Sequence, residues 1–254
     1  EVWAIHTVQF SNHTGYGAWK GRVYDGPMIE ELVEGIAERG VLDRCDGVLS
    51  GYMGSADIGT AILGAAARVR SLNPKALYCC DPVIGDVGRG IFVRPGIPEF
   101  MRDQAVPAAD IITPNQFELE FLAGRTVTTI ADAVEAVEAI RATGPRTVMV
   151  TSLITEDTPP DAIDLIACGP NGRFRVRTPK LSVSVNGAGD AIAALFFVHA
   201  AASGDEAFAL SRAASSVFGL LRRTEEAGSR EILTVAAQDE FVSPSRLFTP
   251  EPVA

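Results

Sequence analysis

The chain is poor in the residues that build metal and redox sites, with four cysteines and three histidines in 254 residues. Cys45, Cys79, Cys80 and Cys168 form no C-x-x-C pair, so neither a zinc ribbon nor a disulfide framework is indicated, and buried free thiols are expected. His6, His13 and His199 follow no ligand spacing, and His199, inside an apolar helical stretch, reads as structural. Positive charge is also scarce. The 22 Lys and Arg stand against 32 Asp and Glu, a net charge of -10, which argues against a nucleic-acid or membrane partner because either needs a basic face. An acidic body can still hold a nucleotide through local amides, a few cations and Mg2+. The longest strongly apolar run, within residues 191–202, is too short to span a bilayer, and no signal peptide is visible; a cytoplasmic protein is expected. No G-x-G-x-x-G follows a strand pattern, which counts against a dinucleotide-binding oxidoreductase. No repeat, low-complexity tract or linker interrupts the chain, so residues 1–254 are expected to form a single domain, and 47% hydrophobic residues can fill its core.

What is present is an alternation of short apolar runs with longer helical patterns, the signature of βαβ units around a mostly parallel sheet. Strands are expected at Val2–His6, Gly47–Ser50, Ala76–Cys80, Asp110–Ile112, Thr147–Thr151, Ala162–Cys168, Phe174–Arg177 and Ile232–Val235. Met28–Arg39 carries apolar residues at 28, 29, 32, 33 and 36, and Ile130–Thr143 repeats the pattern at 130, 134, 137 and 140; both stripes are expected to be core. Gly169-Pro-Asn-Gly172 joins two strand-like runs and signals a hairpin, hence an antiparallel edge. The expected fold class is an α/β three-layer αβα sandwich.

Five segments could carry chemistry. Asn186-Gly-Ala-Gly-Asp190 opens an apolar helix: Gly187, Ala188 and Gly189 can present backbone N–H groups to an anion at the positive end of the helix dipole, and Asp190 can accept a proton from an attacking hydroxyl. A glycine turn with Asp190 as an ordinary cap explains the same residues. Asp81 ends a buried strand, where open α/β sheets place ligands, and a glycine-spaced loop with Asp86 and Arg89 follows it. In Thr113-Pro-Asn-Gln-Phe-Glu118 the residues Asn115 and Glu118 share a helix face and could hold a hydrated Mg2+. As an isolated motif they read better as a capping box. Thr151 and Ser152 end the next strand. At the other end of the chain Thr7–Tyr16 mixes aromatic, amide and hydroxyl groups suited to a flat heteroaromatic ligand, with Val8 and Phe10 against the ring and His13 or Thr14 on its polar edge. A structural turn capped by Asn12 is the alternative.

Together Thr7-Val-Gln-Phe-Ser-Asn-His-Thr14, Ser50-Gly-Tyr52, Cys80-Asp-Pro-Val-Ile-Gly-Asp86, Ile112-Thr-Pro-Asn-Gln-Phe-Glu118, Val150-Thr-Ser152 and Asn186–Asp190 resemble the pyridoxal kinases of the ribokinase-like superfamily, most closely the bacterial salvage type. The resemblance implies phosphorylation of the 5′-hydroxymethyl group of pyridoxal, and of pyridoxine and pyridoxamine, by ATP with Mg2+. It implies Asp190 as base, Gly187, Ala188 and Gly189 as phosphate-binding amides, and Asp81, Thr113, Glu118 and Thr151 around the nucleotide phosphates and metal. Thr178, Lys180 and Leu181 would border the nucleotide. Thr14 and Gly15 would contact substrate, Val8, Phe10, His13 and Tyr52 would line the ring, and Val87–Pro95 would form a flap. Family members are usually homodimers. The family also begins with a strand bearing a ring-contacting serine, a glycine-containing stretch and a helix, none of which is in these 254 residues. The expectation is that the protein as made contains that segment, or that the chain without it is substrate-incompetent. The competing readings are a kinase of another ring alcohol, such as hydroxymethylpyrimidine or a nucleoside, and a non-catalytic vitamin B6 binder.

Overall fold

The computed structural model describes residues 1–254, which divide into two units, Glu1–Asp110 and Ile111–Ala254. In the first unit β1 (Val8–Phe10) and β2 (Gly21–Val23) pair antiparallel, Val8 opposite Val23 and Phe10 opposite Gly21. Gly21 is required at that crossing, since a Cβ would lie 2.0 Å from the Gln9 carbonyl oxygen. The strand expected at Val2–His6 is not formed; pairing begins at Val8, where β2 offers donors and acceptors. Apolar residues without a ladder partner leave the backbone to water, and propensity cannot replace those bonds.

Helix α1 (Gly26–Ala37) starts where the Asp25 carboxylate accepts a hydrogen bond from the Met28 N–H. Of its expected core stripe only Ile29 is buried, while Met28 and Leu32 are 37% and 39% exposed. The neighbouring helix α2 (Ala56–Leu72), joined to it by a two-pronged Arg68–Glu34 pair, covers too little of so broad a stripe. Strands β3 (Gly47–Ser50) and β4 (Leu77–Cys80) run parallel on either side of α2 in the chain, with Ser50 opposite Cys80. Beyond β4 come the two-residue strands β5 (Gly85–Asp86) and β6 (Gly90–Ile91), which pair antiparallel. The short helices α3 (Ile97–Phe100) and α4 (Val106–Ala108) close the unit. Its core holds Ile58, Tyr78, Cys79, Cys80, Ile84, Ile97 and Met101, each at most 1% exposed. Asp110 fastens the end of the unit by accepting from the Tyr78 N–H and the Arg70 guanidinium.

The second unit opens with β7 (Ile111–Ile112), which pairs parallel with β8 (Thr147–Leu153) after α5 (Gln116–Ala123) and α6 (Ile130–Arg141). From β8 onward pairing is antiparallel, through β9 (Ala162–Gly169), β10 (Gly172–Pro179) and β11 (Glu251–Pro252). The β9–β10 hairpin turns at the expected Gly169–Gly172, where Asn171 binds both the Gly204 carbonyl and Glu206. Helices α7 (Ala188–Ser203), α8 (Glu206–Glu226) and α9 (Asp239–Val242) follow. The strand expected at Ile232–Val235 is instead a run of turns, because Thr224 Oγ1 of α8 accepts the Leu233 N–H and the Thr234 N–H folds back on the Ile232 carbonyl. The α6 stripe is core as expected, with Ile130, Val134, Val137 and Ile140 all buried. All four cysteines are free thiols, and burial pushes Cys168 up to about 12. No helix is long and apolar enough to cross a membrane.

Candidate active site

In the second unit the sequence Asn186-Gly-Ala-Gly-Asp190 forms a left-handed turn at Gly187, with φ of 93°, that runs directly into α7. A residue with a Cβ resists that backbone, which explains glycine there. The helices of eight or more residues otherwise begin with a side-chain cap: Asp25 on α1, Ser55 on α2, Asn115 on α5, Thr129 on α6 and Asp205 on α8. Helix α7 begins without one, so no side chain takes the donors of its first turn. Asp190 lies in that turn and is exposed, so the bland reading of it as the helix cap does not hold. A Cβ built on Gly189 would meet nothing within 4 Å, and one on Gly187 would lie 3.6 Å from Ile232 in the loop after α8. The approach to the turn is tied to α8 at one point, where the Ser182 N–H donates to Glu225 at 2.6 Å.

The strand-end residues of this unit form a second group. Thr113 is 2% exposed at the end of β7, and α5 starts with the predicted capping box: Asn115 Oδ1 accepts the Glu118 N–H at 3.0 Å while Glu118 Oε2 accepts the Asn115 N–H at 2.9 Å. Asn115 bridges to Thr151 of β8, whose N–H donates to the Pro114 carbonyl at 2.9 Å. The strand ends Thr113 and Thr151 therefore lie beside the Asn115–Glu118 box. No group of three His, Cys, Asp or Glu side chains is arranged to hold a metal ion. Thr178 is buried at the end of β10, Leu181 is half-buried, and Lys180 is exposed with its N–H on the Asp161 carbonyl.

The first unit contributes the ring-binding candidates. Alternation along β1 sets Val8 and Phe10 on one face, both half-buried. His13 caps the 3-10 turn Thr14–Tyr16 by accepting the Gly15 N–H on Nδ1, so the cap is His13 and not Asn12, which donates instead to the His13 and Ala18 carbonyls. His13, Thr14 and Gly15 are all exposed. Thr7 Oγ1 donates to the Tyr52 carbonyl at 2.7 Å and so joins this segment to the loop after β3. Trp19, absent from the sequence reading, packs on Phe10 with ring centroids 4.3 Å apart; its only signal was an aromatic just past a glycine turn. Asp81 is 9% exposed at the end of β4, with its N–H on the Ser50 carbonyl. Burial raises the Tyr78 hydroxyl and the Cys79 thiol well above their ordinary values, so both stay neutral behind Asp81. Val87–Pro95, the expected flap, begins in the turn of the β5–β6 hairpin and runs on past β6, with Gly88 and Gly90 at φ of 79° and 68° and Arg89 over the Phe92 ring.

Known proteins resemble this arrangement along nearly its whole length. A profile of the phosphomethylpyrimidine kinase family matches residues 26–234. The pyridoxal kinase PdxY of Granulibacter bethesdensis is 62% identical over 253 residues, which is 98% of this chain and 88% of that one. The PdxY of Deinococcus radiodurans is 52% identical over 259 residues, covering 100% of this chain and 87% of its own. Among solved structures, the pyridoxal kinase of Leishmania donovani in complex with ADP and pyridoxamine superimposes with a TM-score of 0.89 at 27% identity, over 98% of this chain and 88% of that one. The chain therefore belongs to the phosphomethylpyrimidine kinase family and, within it, to the PdxY pyridoxal kinases with their ribokinase-like fold.

Proposed function

We propose that this chain transfers the γ-phosphoryl group of ATP to the 5′-hydroxymethyl group of pyridoxal, giving pyridoxal 5′-phosphate and ADP, and that it also accepts pyridoxine and pyridoxamine. The observation that carries the reading is the uncapped glycine start of α7, with Asp190 in its first turn, in a chain 62% identical to a pyridoxal kinase. Asp190 takes the proton of the substrate hydroxyl as its oxygen bonds to phosphorus and the bond to the ADP oxygen breaks. Gly187, Ala188 and Gly189 receive the transferring phosphoryl on fixed backbone amides, whose orientation is set before the reaction begins. Thr113, Glu118 and Thr151 face the nucleotide phosphates together with Asp81, while Thr178, Lys180 and Leu181 border the nucleoside. Val8, Phe10, His13, Thr14, Gly15 and Tyr52 receive the pyridine ring.

Bound with ATP, Mg2+ would supply charge neutralisation on the phosphates. One oxygen of Glu118 is engaged by the Asn115 N–H, and no three-residue acidic cluster exists, so these residues fit an ion that keeps much of its water and is carried by the nucleotide. Glu118 and Asn115, fixed by each other, and Asp81 are the groups that would receive it. The enzyme is proposed to work in the cytoplasm as a homodimer.

The match to the phosphomethylpyrimidine kinase profile supports one competing substrate, hydroxymethylpyrimidine. A coupled ADP-release assay with pyridoxal, pyridoxine, pyridoxamine and hydroxymethylpyrimidine separates the two. The highest kcat/KM is expected for a B6 vitamer; a preference for the pyrimidine alcohol refutes the substrate assignment, and absence of turnover on all four refutes the kinase reading.

A further inference from the structure

Ser152 is the one non-glycine residue with a positive φ, at 52°. That left-handed backbone is unfavourable for a residue with a Cβ, and it persists only where neighbours enforce it. It falls where β8 slips against β9: Val150 faces Ile166 and Leu153 faces Asp164, three steps along β8 against two along β9. The extra residue is a β-bulge, of the kind usually built with glycine in the left-handed place. Its effect on burial is direct. Val150 and Leu153 are both 0% exposed, while Ser152 is turned out to solvent.

Toward β7 the strand keeps its parallel register up to the bulge, with Ile112 opposite Val148 and Asn115 bridged to Thr151. The Thr151 N–H goes to the Pro114 carbonyl at 2.9 Å, and the Ile154 N–H goes to Gln116 Oε1, also at 2.9 Å. Gln116 in turn donates to the Val127 carbonyl at 3.3 Å. Pro114 and Gln116 flank Asn115, the residue that caps α5 and fixes Glu118. Without the extra residue Ser152 would stand opposite Asp164, and the Ile154 N–H, in step with Val150 and Ser152, would face the β9 side instead of α5.

From this geometry we infer that Ser152 is a positioning residue whose left-handed backbone turns the Ile154 N–H to Gln116 and so holds the start of α5, with Glu118, against the nucleotide phosphates. The inference rests on the proposed nucleotide-facing role of Thr113, Glu118 and Thr151. It concerns the backbone of Ser152, because the exposed hydroxyl is not needed for the stitch.

The test uses the full chain with Ser152→Gly, Ser152→Asn and Ser152→Val, measuring MgATP dissociation by calorimetry and the KM for MgATP and for pyridoxal. Glycine and asparagine accept the left-handed region, and both are expected to hold MgATP within about twofold of the parent. Valine resists it, and MgATP should bind about tenfold more weakly, with KM for MgATP rising in step and KM for pyridoxal within about twofold. Where the valine chain does not fold, Ser152→Thr, also β-branched, is expected to move KM for MgATP in the same direction. Parent-like MgATP binding in the β-branched variant overturns the positioning role and leaves the kinase reading intact. A parent chain that binds no MgATP overturns the kinase reading itself, and this inference with it.

Discussion

Adding one methyl group at Gly189 and one at Gly187 separates what the turn before α7 does for the fold from what it does for the reaction. At Gly189 the new Cβ meets nothing within 4 Å and the residue lies inside α7. Alanine there removes backbone freedom from the unfolded chain and should leave stability unchanged or raise it by up to about 1 kcal/mol. At Gly187, with φ of 93°, alanine is strained and should cost about 1–2 kcal/mol. For a chain of this size that corresponds to a fall in melting temperature of roughly 2–8 °C. The kinetic expectation does not follow stability. In the proposed role of these amides a methyl at Gly189 would stand in the path of the transferring phosphoryl, and kcat/KM with pyridoxal and MgATP should fall by about 10²-fold, the scale of losing one anion-hole donor. Differential scanning fluorimetry and the coupled ADP-release assay read the two effects on the same samples. A Gly189→Ala chain with parental stability and parental kcat/KM would refute the reasoning that these amides touch the phosphoryl group.

Three further outcomes are expected. Asp190→Asn should lower kcat by about 10²- to 10⁴-fold in the same assay with the melting temperature unchanged, since Asp190 is exposed; turnover within threefold of the parent removes it from the mechanism. Gly59→Ala drives a Cβ to 2.2 Å from the Phe100 ring, an overpacking that should cost about 1–3 kcal/mol by chemical denaturation, and a chain as stable as the parent would show that α2 and α3 shift freely. Burial, and then the nearby Arg212, lower the His199 pKa from its ordinary 6.5, so the unfolded chain binds a proton that the folded chain refuses. His199 should therefore make stability fall as pH drops from about 7 through 6.5, with no further loss below its folded pKa. A His199→Phe chain should show a shallower decline across that window, and equal slopes count against the assignment.

The parts of this molecule legible in the sequence are those fixed by local chemistry. The α6 stripe, the Gly169–Gly172 hairpin and the Asn115–Glu118 capping box each depend on residues within a few positions of one another, and each formed as read. Val2–His6 and Ile232–Val235 misled for a shared reason. Both have the composition of strands, but a strand exists only where a second strand offers hydrogen bonds, and that information lies elsewhere in the chain. Met28 and Leu32 failed similarly, because periodicity gives the direction of an apolar face and not the extent of its cover. Within the site, Thr113 and Thr151 were readable as strand ends and Asn115 with Glu118 as a capping box, whereas the bulge at Ser152 was not. A serine in a left-handed backbone carries no sequence signal of the kind that a glycine would give. Glu225, which holds the Ser182 N–H from the end of a distant helix, was hidden for the same reason.

The missing side-chain cap on α7 has a consequence for the order in which the chain folds. Helix initiation is unfavourable, and a cap that fixes the first turn is one of the few local aids to it. The helices α5, α6 and α8 each carry that aid in their own sequence, so they can flicker into existence before tertiary contacts form. Helix α7 has none and must be recruited by packing, with Ile192, Ala193 and Phe196 as its buried grip. The turn at Gly187–Asp190 is then expected to become ordered only once α7 has docked, which hydrogen exchange at its amides would read. Catalytic competence would thus be acquired with the docking of α7 rather than with the formation of the β8–β10 ladder.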